Sequence, residues 1–445
     1  MLNEIYNLYI TNYFSKKMKL KKYIYESIKY ALRSYPIIRP YIKEVEKLYA
    51  MTPEQLRKRN EQRFLKIFRR AYDKSPFYRK LYTEAGIKKE DIKTLDDMTK
   101  LPIITKDMVR QHADEMLTVP RWMVIAANTS GTTGTPLRIY ESWPAIWLKH
   151  AFIYCSRRNY GFSMGERIVS LRGHLDKQIS CLKVHISNTL YLSSYNINKT
   201  TIKQYYEQIL RFKPKAIEGY PSSLYSLALF LKDEGLSISI PLTFTSSETI
   251  LEYQRVLIEK QFGTKVYDFY GMTESTISLE ESIHHDGYYE RPGFSINEYL
   301  EDGEICTSLI SADFPMIRYR SNDIMELDDS NERIMIKSIL GRTDDYVICK
   351  DGSMVSRIDF IESGEHIKAC QWVQDTKGEL TILIVPDKGF SEKDSRFVYN
   401  ETLKRVGQNN MNISIKIVSL DGLIYSRRGK FKLIVNNVKD CKHLI

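Results

Sequence analysis

The chain has 445 residues, 43% hydrophobic and 27% charged, and this composition excludes a disordered or fibrous protein. Its 66 Lys and Arg against 55 Asp and Glu give a net charge of +11, which favours anionic partners such as nucleotides, nucleic acid or acidic lipid. The six cysteines are scattered without a Cys-x-x-Cys pair, which argues against a disulfide scaffold or a zinc knuckle. We find no run of about 18 apolar residues and therefore expect a cytoplasmic protein without a transmembrane helix.

The first 50 residues are basic and rich in tyrosine, with ten Lys or Arg against four Asp or Glu. We predict a helical, basic N-terminal extension over residues 1–54. Two interpretations of residues 1–50 remain open: a solvated helical extension, or a segment that lies peripherally on an anionic membrane face or binds a partner.

Apolar spacing predicts helices over residues 53–86, broken at Pro76. Short β-branched runs then alternate with helical stretches up to about residue 340, as in 167–173, 204–212, 241–247 and 266–271. After Gly341 the order is strand, turn, strand, helix, strand. The sequence therefore predicts an α/β protein, with a large domain of mixed β-sheets and helices over residues 55–340 and a small α+β C-terminal domain over 341–445.

The sharpest local motif is TSGTTGTP at residues 129–136. Two glycines and five hydroxyl residues favour a flexible loop whose N–H groups and hydroxyls can surround phosphate oxygens. It is not a Walker A loop, because no Gly-Lys-Ser/Thr follows. The alternative is a Gly/Thr turn without a ligand.

Four further motifs follow in order along the chain. Tyr270-Gly271-Met272-Thr273-Glu274 ends a predicted strand and offers a ring for a planar base and a carboxylate for Mg²⁺. In residues 318–323, RYRSND, Asp323 is an acceptor suited to ribose hydroxyls. GRTDD at 341–345 and RRGK at 427–430 complete the set.

This ordered set resembles the adenylate-forming superfamily of acyl-CoA ligases, peptide-synthetase adenylation domains and luciferases. The resemblance is greatest to the phenylacetate–CoA ligase and CapK-type branch found with capsule and O-antigen genes, and it covers residues 55–435. It includes the stretch 75–110, Gly219-Tyr220-Pro221-Ser222 and GKFKLIV at 429–435. The resemblance implies a small C-terminal domain that is mobile.

The resemblance also implies roles for individual residues. It implies that Tyr270 stacks on adenine, that Asp323 binds the ribose and that Glu274 binds the magnesium bridging ATP oxygens. Lys430 would reach the carboxylate and the α-phosphate, and Asp344 would be the hinge. The phosphate loop is implied to be Ser130, Gly131, Thr132, Thr133, Gly134 and Thr135. Ser247, Glu248, Gly271 and Arg342 would complete the adenine and ribose site, and the acyl pocket would contain His174 and Tyr220.

The chain departs from the family pattern in three places. Ser246-Ser247-Glu248 stands where the family has a glycine-rich segment, and the motif at 319–323 is Tyr-Arg-Ser-Asn-Asp rather than Tyr-Arg-Thr-Gly-Asp. Small polar residues tolerate unusual backbone angles, so we expect both changes to be accommodated. Residues 330–339 contain no cysteine, which argues against the metal cluster of many branch members.

The implied function is ATP-dependent activation of a carboxylic acid as an acyl-adenylate, followed by acyl transfer to an amine, an amino sugar or CoA in surface-polysaccharide biosynthesis. ATP and Mg²⁺ are the implied cofactors, with CoA as a further one. A phenylacetate-type aryl-CoA ligase is the alternative within this class, and a non-catalytic nucleotide-binding scaffold is the alternative outside it. Nucleic-acid binding is not expected, because no helix-turn-helix, RNP-type or zinc-finger pattern is present.

Two residue sets have competing interpretations. His284, His285 and Asp286 are either metal ligands, with Glu280 or Glu281, or a solvent-exposed turn. Trp143, Trp147 and Phe152 have helical spacing, which favours core packing over a substrate pocket.

Overall fold

The computed structural model describes residues 18–128, 137–171, 175, 179–247, 250, 252–300, 303–321, 323, 325–328, 335–339, 346–356, 366–386, 389–419, 422–424 and 434–438. The helices are α1 (18–31), α2 (Tyr35–Tyr49), α3 (Pro53–Lys74), α4 (Pro76–Glu84), α5 (Lys106–His112), α6 (Trp143–Asn159), α7 (Ile202–Phe212), α8 (Pro221–Asp233), α9 (Glu252–Phe262) and α10 (Glu392–Val406). Within these described ranges, no helix has the length and hydropathy needed to cross a bilayer.

The strands of the large N-terminal part are β1 (Val124–Asn128), β2 (Arg138–Ser142), β3 (Ile168–Leu171), β4 (Cys181–Val184), β5 (Thr189–Leu192), β6 (Ala216–Gly219), β7 (Leu242–Ser246), β8 (Lys265–Gly271), β9 (Ser278–Glu281), β10 (Tyr288–Glu290), β11 (Ser295–Leu300), β12 (Gly303–Ser308), β13 (Tyr319–Arg320), β14 (Met325–Asp328) and β15 (Met335–Ile339). Those that follow are β16 (Tyr346–Ile348), β17 (Met354–Ser356), β18 (Ile367–Gln374), β19 (Glu379–Pro386), β20 (Asn412–Ile417) and β21 (Ile434–Asn436).

The predicted helix break at Pro76 is confirmed. Helix α3 begins at a capping box, in which the N–H of Gln55 donates to Thr52 Oγ1 at 3.3 Å and the N–H of Thr52 donates to Gln55 Oε1 at 3.1 Å. It ends at Ser75, whose hydroxyl then accepts from the N–H of Tyr78 and caps α4. Pro76 occupies the first turn of the new helix, where its missing N–H costs nothing.

A ten-stranded sheet forms the centre of the large part, in the order β14-β15-β10-β9-β8-β7-β6-β3-β5-β4. The run β5-β3-β6-β7-β8 is parallel, and the strands beyond it on both sides are antiparallel. The strands predicted over residues 167–173, 241–247 and 266–271 are β3, β7 and β8, and the predicted helix 204–212 is α7. The predicted mixed α/β architecture is confirmed.

Helix α2 packs into the body of the large part. Its apolar face, with Ile42 and Leu48, lies in one buried cluster with Leu148 and Phe152 of α6. The ring of Phe152 meets Phe294 edge-on at 5.2 Å, while Trp143 and Trp147 stack at 5.8 Å. Phe152 is thus part of the core and Trp147 packs against that core, whereas Trp143 is half-buried and stacks on Trp147.

The C-terminal part has the predicted strand, turn, strand, helix, strand order. Strands β16 and β17 form a hairpin, and β20-β19-β18-β21 form a four-stranded sheet beside α10. The indole of the buried Trp372 in β18 donates to Thr402 Oγ1 of α10 at 3.0 Å and ties sheet to helix. The domain boundaries after residues 54 and 340 stay predictions.

The described cysteines are free thiols, as the scattered spacing indicates: Cys155, Cys181, Cys306, Cys349 and Cys370. Burial raises the pKa of the Cys155 and Cys181 thiols to about 11 and that of Cys370 to about 12. These thiols are therefore protonated at neutral pH and poor nucleophiles.

Candidate active site

Residues that follow the central parallel strands gather at one edge of the large sheet. Strands β6, β7 and β8 are parallel neighbours, so their carboxyl ends point to the same edge. The buried Tyr220 follows β6, Ser247 follows β7, and Tyr270 and Gly271 end β8, with Glu274 three residues later. In open α/β sheets this edge is where ligands bind.

Two backbone features shape this edge. A Cβ at Gly219 would lie 2.9 Å from Leu224 Cγ, so the close packing of β6 against α8 requires glycine. Ser247 has φ of +74°, which is the left-handed conformation favoured by glycine. Ser247 thus adopts an angle that suits glycine, and its accommodation in place of a family glycine stays a prediction.

Tyr270, in β8, and Asp323, which lies between β13 and β14, are in direct contact. The phenol of Tyr270, at the end of β8, donates a hydrogen bond to Asp323 Oδ2. Asp323 follows β13 of the three-stranded sheet β11-β12-β13, and its N–H donates to Ser321 Oγ at 3.0 Å. The two residues that the resemblance assigns to adenine and ribose are thus direct neighbours.

Glu274 lies beside Tyr319, a residue to which the sequence alone assigns no role. The Tyr319 hydroxyl is 3.5 Å from Glu274 Oε1, at the outer limit of a hydrogen bond. Burial and then the Glu274 charge raise the pKa of the Tyr319 phenol, so the ring stays a neutral donor that faces the carboxylate. In the sequence, the feature that could have identified Tyr319 is its position in the RYRSND motif at residues 318–323.

Arg318 fixes the strand that carries Tyr319. Its guanidinium makes two hydrogen bonds to Glu298, at 2.9 and 2.8 Å, and one to the carbonyl oxygen of Leu101. The N–H of Ile104 donates to the Arg318 carbonyl oxygen at 3.0 Å. The backbone has φ of +49°, an uncommon angle that these contacts hold in place. Arg318 is a positioning residue that the sequence analysis missed.

The predicted phosphate loop is flanked by two paired strands and a buried leucine. Strands β1 and β2 pair antiparallel up to Asn128 and Arg138, on either side of residues 129–136. Leu137 is buried in one apolar cluster with Tyr319, and Met272, two residues before Glu274, packs against that cluster. Leu137, which follows the loop, therefore lies in the same core as Tyr319, the residue that contacts Glu274.

Several predicted site residues lie outside the described residues, and their roles stay predictions. They are the six phosphate-loop residues Ser130, Gly131, Thr132, Thr133, Gly134 and Thr135, together with His174, Glu248, Arg342, Asp344 and Lys430. Those that the structure does describe are Tyr220, Ser247, Tyr270, Gly271, Glu274 and Asp323.

His285 belongs to a packed polar cluster rather than to a metal site. Its ring stacks on Tyr267 at 5.4 Å, and its Nδ1 lies 3.2 Å from Arg255 Nη1 and 3.3 Å from Glu281 Oε1. Burial raises the pKa of Glu281 to about 7, although Arg255 opposes the shift. No group of three or more His, Cys, Asp or Glu suited to a metal occurs within the described part of the chain.

The donor set at the candidate site fits magnesium bound mainly by ATP. Glu274 is half-exposed and supplies one carboxylate at the edge of the sheet. Mg²⁺ typically takes one or two protein carboxylates and completes its coordination with substrate phosphates and water. The carboxylate of Glu274 suits that mode.

Sequence comparison relates the whole chain to CapK. A family model described as the CapK C-terminal domain matches residues 347–437. Protein CapK of Staphylococcus aureus is 24% identical over 470 residues, covering 99% of this chain and 100% of the relative. The predicted resemblance to the CapK-like branch of the adenylate-forming ligases is therefore confirmed. The predicted enzyme class is thereby confirmed.

A second relative and a solved structure are also similar to this CapK-like chain. The phenylacetate-coenzyme A ligase of Pseudomonas putida is 26% identical over 320 residues, covering 67% of this chain and 73% of the relative. The crystal structure of 2-hydroxyisobutyryl-CoA ligase with 2-HIB-AMP and CoA has a TM-score of 0.58 at 16% identity, covering 87% of this chain and 91% of that one. The second likeness establishes the fold.

Proposed function

We propose that this chain uses ATP to activate a carboxylic acid as its acyl-adenylate and then transfers the acyl group to an acceptor. The observation that carries the proposal is the contact of Tyr270 with Asp323 at the carboxyl edge of the parallel strands, close to Glu274. In this proposal Tyr270 supplies the ring for the base, Asp323 accepts from the ribose hydroxyls and Glu274 binds magnesium.

In the first half-reaction a carboxylate oxygen attacks the α-phosphorus, and the bond to the β-phosphate oxygen breaks to release pyrophosphate. Both reactants are anionic, so groups that offset their charge control the rate. Lys430 and the hydroxyls and N–H groups of residues 130–135 are the proposed donors. Magnesium bound with ATP would offset further phosphate charge, and Glu274 is its proposed protein ligand.

In the second half-reaction a nucleophile displaces AMP from the acyl carbon. The acceptor is CoA, or an amine such as an amino sugar, and rotation of the C-terminal part about Asp344 would open the cleft for it. Full-length similarity to CapK supports a role in surface-polysaccharide biosynthesis, the setting implied by the resemblance. Similarity to phenylacetate-coenzyme A ligase supports CoA as the acceptor.

Pyrophosphate release tests the proposal. The purified chain is incubated with ATP, Mg²⁺ and single acids from an aryl, fatty, amino and uronic acid panel, alone and with CoA or an amino sugar. Acid-dependent release supports adenylation. Faster turnover with CoA, and a thioester product, would identify a CoA ligase, whereas an amide formed only with the amine would identify an amide-forming enzyme.

A non-catalytic nucleotide-binding scaffold is the candidate from another class. A scaffold of this kind would bind ATP, but no acid in the panel would cause release of pyrophosphate. Retention of both Glu274 and Lys430 favours the enzyme, because a scaffold needs neither a metal carboxylate nor a lysine at the α-phosphate.

A further inference from the structure

Helix α1 turns its apolar side away from the protein. Leu20, Ile24 and Ile28 recur every four residues and therefore share one face of the helix. Their exposed fractions are 59%, 48% and 55%, and Leu32 and Tyr25 beside them are also exposed. Large aliphatic side chains are normally the most buried of all, so a continuous exposed row indicates an interaction surface.

The opposite side of α1 is polar and faces the body. Glu26 is buried there and forms ion pairs with Lys22 and Lys29 at 3.2 and 3.6 Å. The hydroxyl of Tyr191 in β5 lies 3.3 Å from the same carboxylate and donates to it. A surface helix of a globular protein usually has the reverse orientation, with its apolar stripe on the core.

Contacts at both ends hold α1 in this orientation. Near its start, Met18 and Tyr23 pack against a small buried cluster that includes Leu182. Just beyond its end, the indole of Trp147 in α6 donates to the Leu32 carbonyl oxygen at 2.9 Å. The helix is thus fixed as a rigid element, and the outward row is a defined surface.

The charge around the row decides which partner it fits. Residues 18–35 contain five Lys or Arg and one acid, Glu26, which is buried. Lys19 and Lys21 are exposed beside the row, and Lys22 Nζ lies 5.2 Å from the centre of the exposed Tyr25 ring. A second copy docked on the same surface would oppose its own lysines, whereas anionic lipid complements them.

We propose that α1 docks this CapK-like ligase on an anionic membrane surface. Leu20, Ile24 and Ile28 enter the boundary between headgroups and acyl chains, Tyr25 lies at that boundary, and the flanking lysines contact lipid phosphates. The proposal is independent of the ligase reaction, since α1 contributes none of the predicted catalytic residues.

Flotation with lipid vesicles tests the proposal on the full chain. Vesicles of phosphatidylcholine alone are compared with vesicles containing phosphatidylglycerol, at low and high salt. We expect binding to the anionic vesicles only, weakened by salt. Ile24→Gln with Ile28→Gln should lower binding by at least about tenfold, since burial of one such side chain alone is worth about that factor. Lys19→Gln with Lys21→Gln should remove the preference for anionic lipid.

A matched variant controls for the loss of exposed apolar area. Leu210→Gln with Val256→Gln changes two exposed apolar residues of α7 and α9 and should leave vesicle binding unchanged. Point substitutions are used rather than a truncation, because α2, which follows α1, is part of the core. Because Ile24 and Ile28 are exposed, their substitution should leave the melting temperature unchanged. A lower melting temperature would show that these side chains pack against the protein.

Three results would overturn the proposal. Absence of wild-type binding to anionic vesicles at low salt is the first. Equal loss of binding in the α1 variant and the α7/α9 variant is the second. The third is a concentration-dependent dimer that the α1 variant alone abolishes, without any vesicle binding, which would assign the surface to a second copy.

Discussion

The phenol of Tyr270 donates a hydrogen bond to the carboxylate of Asp323, and this single bond joins the end of β8 to the segment that follows β13. The two residues are 53 positions apart: Tyr270 lies in β8 of the ten-stranded sheet, and Asp323 lies between β13 and β14. Asp323 is buried, so the bond orients its carboxylate before any nucleotide arrives. The bond thus joins the residues proposed for adenine and for ribose.

Tyr270→Phe should raise the KM for ATP about three- to tenfold while leaving the acid KM and kcat nearly unchanged. The substitution keeps the ring for stacking and removes one hydrogen bond to the Asp323 carboxylate, a loss that corresponds to about 0.5–1.5 kcal/mol. Steady-state pyrophosphate release with ATP varied measures it. Tyr49→Phe is the control, since it removes a phenol bond to Glu280, at 2.9 Å, that does not involve Asp323. An unchanged KM for ATP would contradict the assigned role.

Arg318→Gln should destabilise the protein by about 3 kcal/mol, because it leaves the Glu298 carboxylate partly buried without its partner. Restoring neutrality with Glu298→Gln should recover part of this loss. Urea unfolding of the two single variants and the double variant measures the coupling. Arg57→Gln breaks an exposed ion pair with Asp96 and should cost less than about 1 kcal/mol. Equal costs for the exposed and buried pairs would refute the positioning role.

His150 predicts a loss of stability in mild acid. Burial, followed by the positive charges of Arg33, Lys149, Lys29 and Arg157, lowers the pKa of its imidazole to about 3, against 6.5 in the unfolded chain. Between these values the unfolded chain binds the additional proton, so the free energy of unfolding falls as pH falls. From pH 7 to pH 5 the loss from this group is about 2 kcal/mol.

Denaturant titrations of the wild type and His150→Gln at pH 7 and pH 5 test that figure. The variant should lose about 2 kcal/mol less than the wild type over this interval, because its side chain does not titrate. Identical pH dependence in the two proteins would mean that the pKa of His150 is the same in the folded and the unfolded chain.

Lys430→Ala should lower acyl-adenylate formation by about 10²–10³-fold, the usual effect of losing one donor to a developing charge. Transfer from a chemically prepared acyl-adenylate should be largely retained, because the proposed hinge moves this lysine away for the second step. Lys416→Ala, an exposed lysine of β20, is the control. Equal losses in both half-reactions would contradict the division of roles.

Local features of the fold were predictable from the sequence. The capping residues Thr52 and Ser75 and the break at Pro76 are encoded within a few positions, as are the β-branched runs that form β3, β7 and β8. The strand order of the ten-stranded sheet was not predicted, since pairing between distant segments leaves no local pattern.

Candidate site residues could be predicted from the sequence where they belong to a motif. Contacts between segments that are distant in the sequence could not be predicted. The candidates Tyr270, Glu274 and Asp323 came from ordered motifs. The contact of Tyr319 with Glu274 spans 45 residues, and that of Tyr191 with Glu26 spans 165 residues. The second contact explains why the orientation of α1 could not be read from its amphipathic pattern, because a buried ion-paired glutamate reversed the usual rule.

Acid-dependent ATP–pyrophosphate exchange tests the central claim most directly, because it reports adenylate formation without any acceptor. With an accepted acid, the wild-type chain should exchange label between pyrophosphate and ATP, and Glu274→Gln should exchange it at least about 10²-fold more slowly. A melting temperature of the Glu274→Gln variant equal to that of the wild type would show that the fold is intact. Nucleotide binding without exchange for any acid in the panel, or exchange that survives Glu274→Gln undiminished, would contradict the proposed reaction.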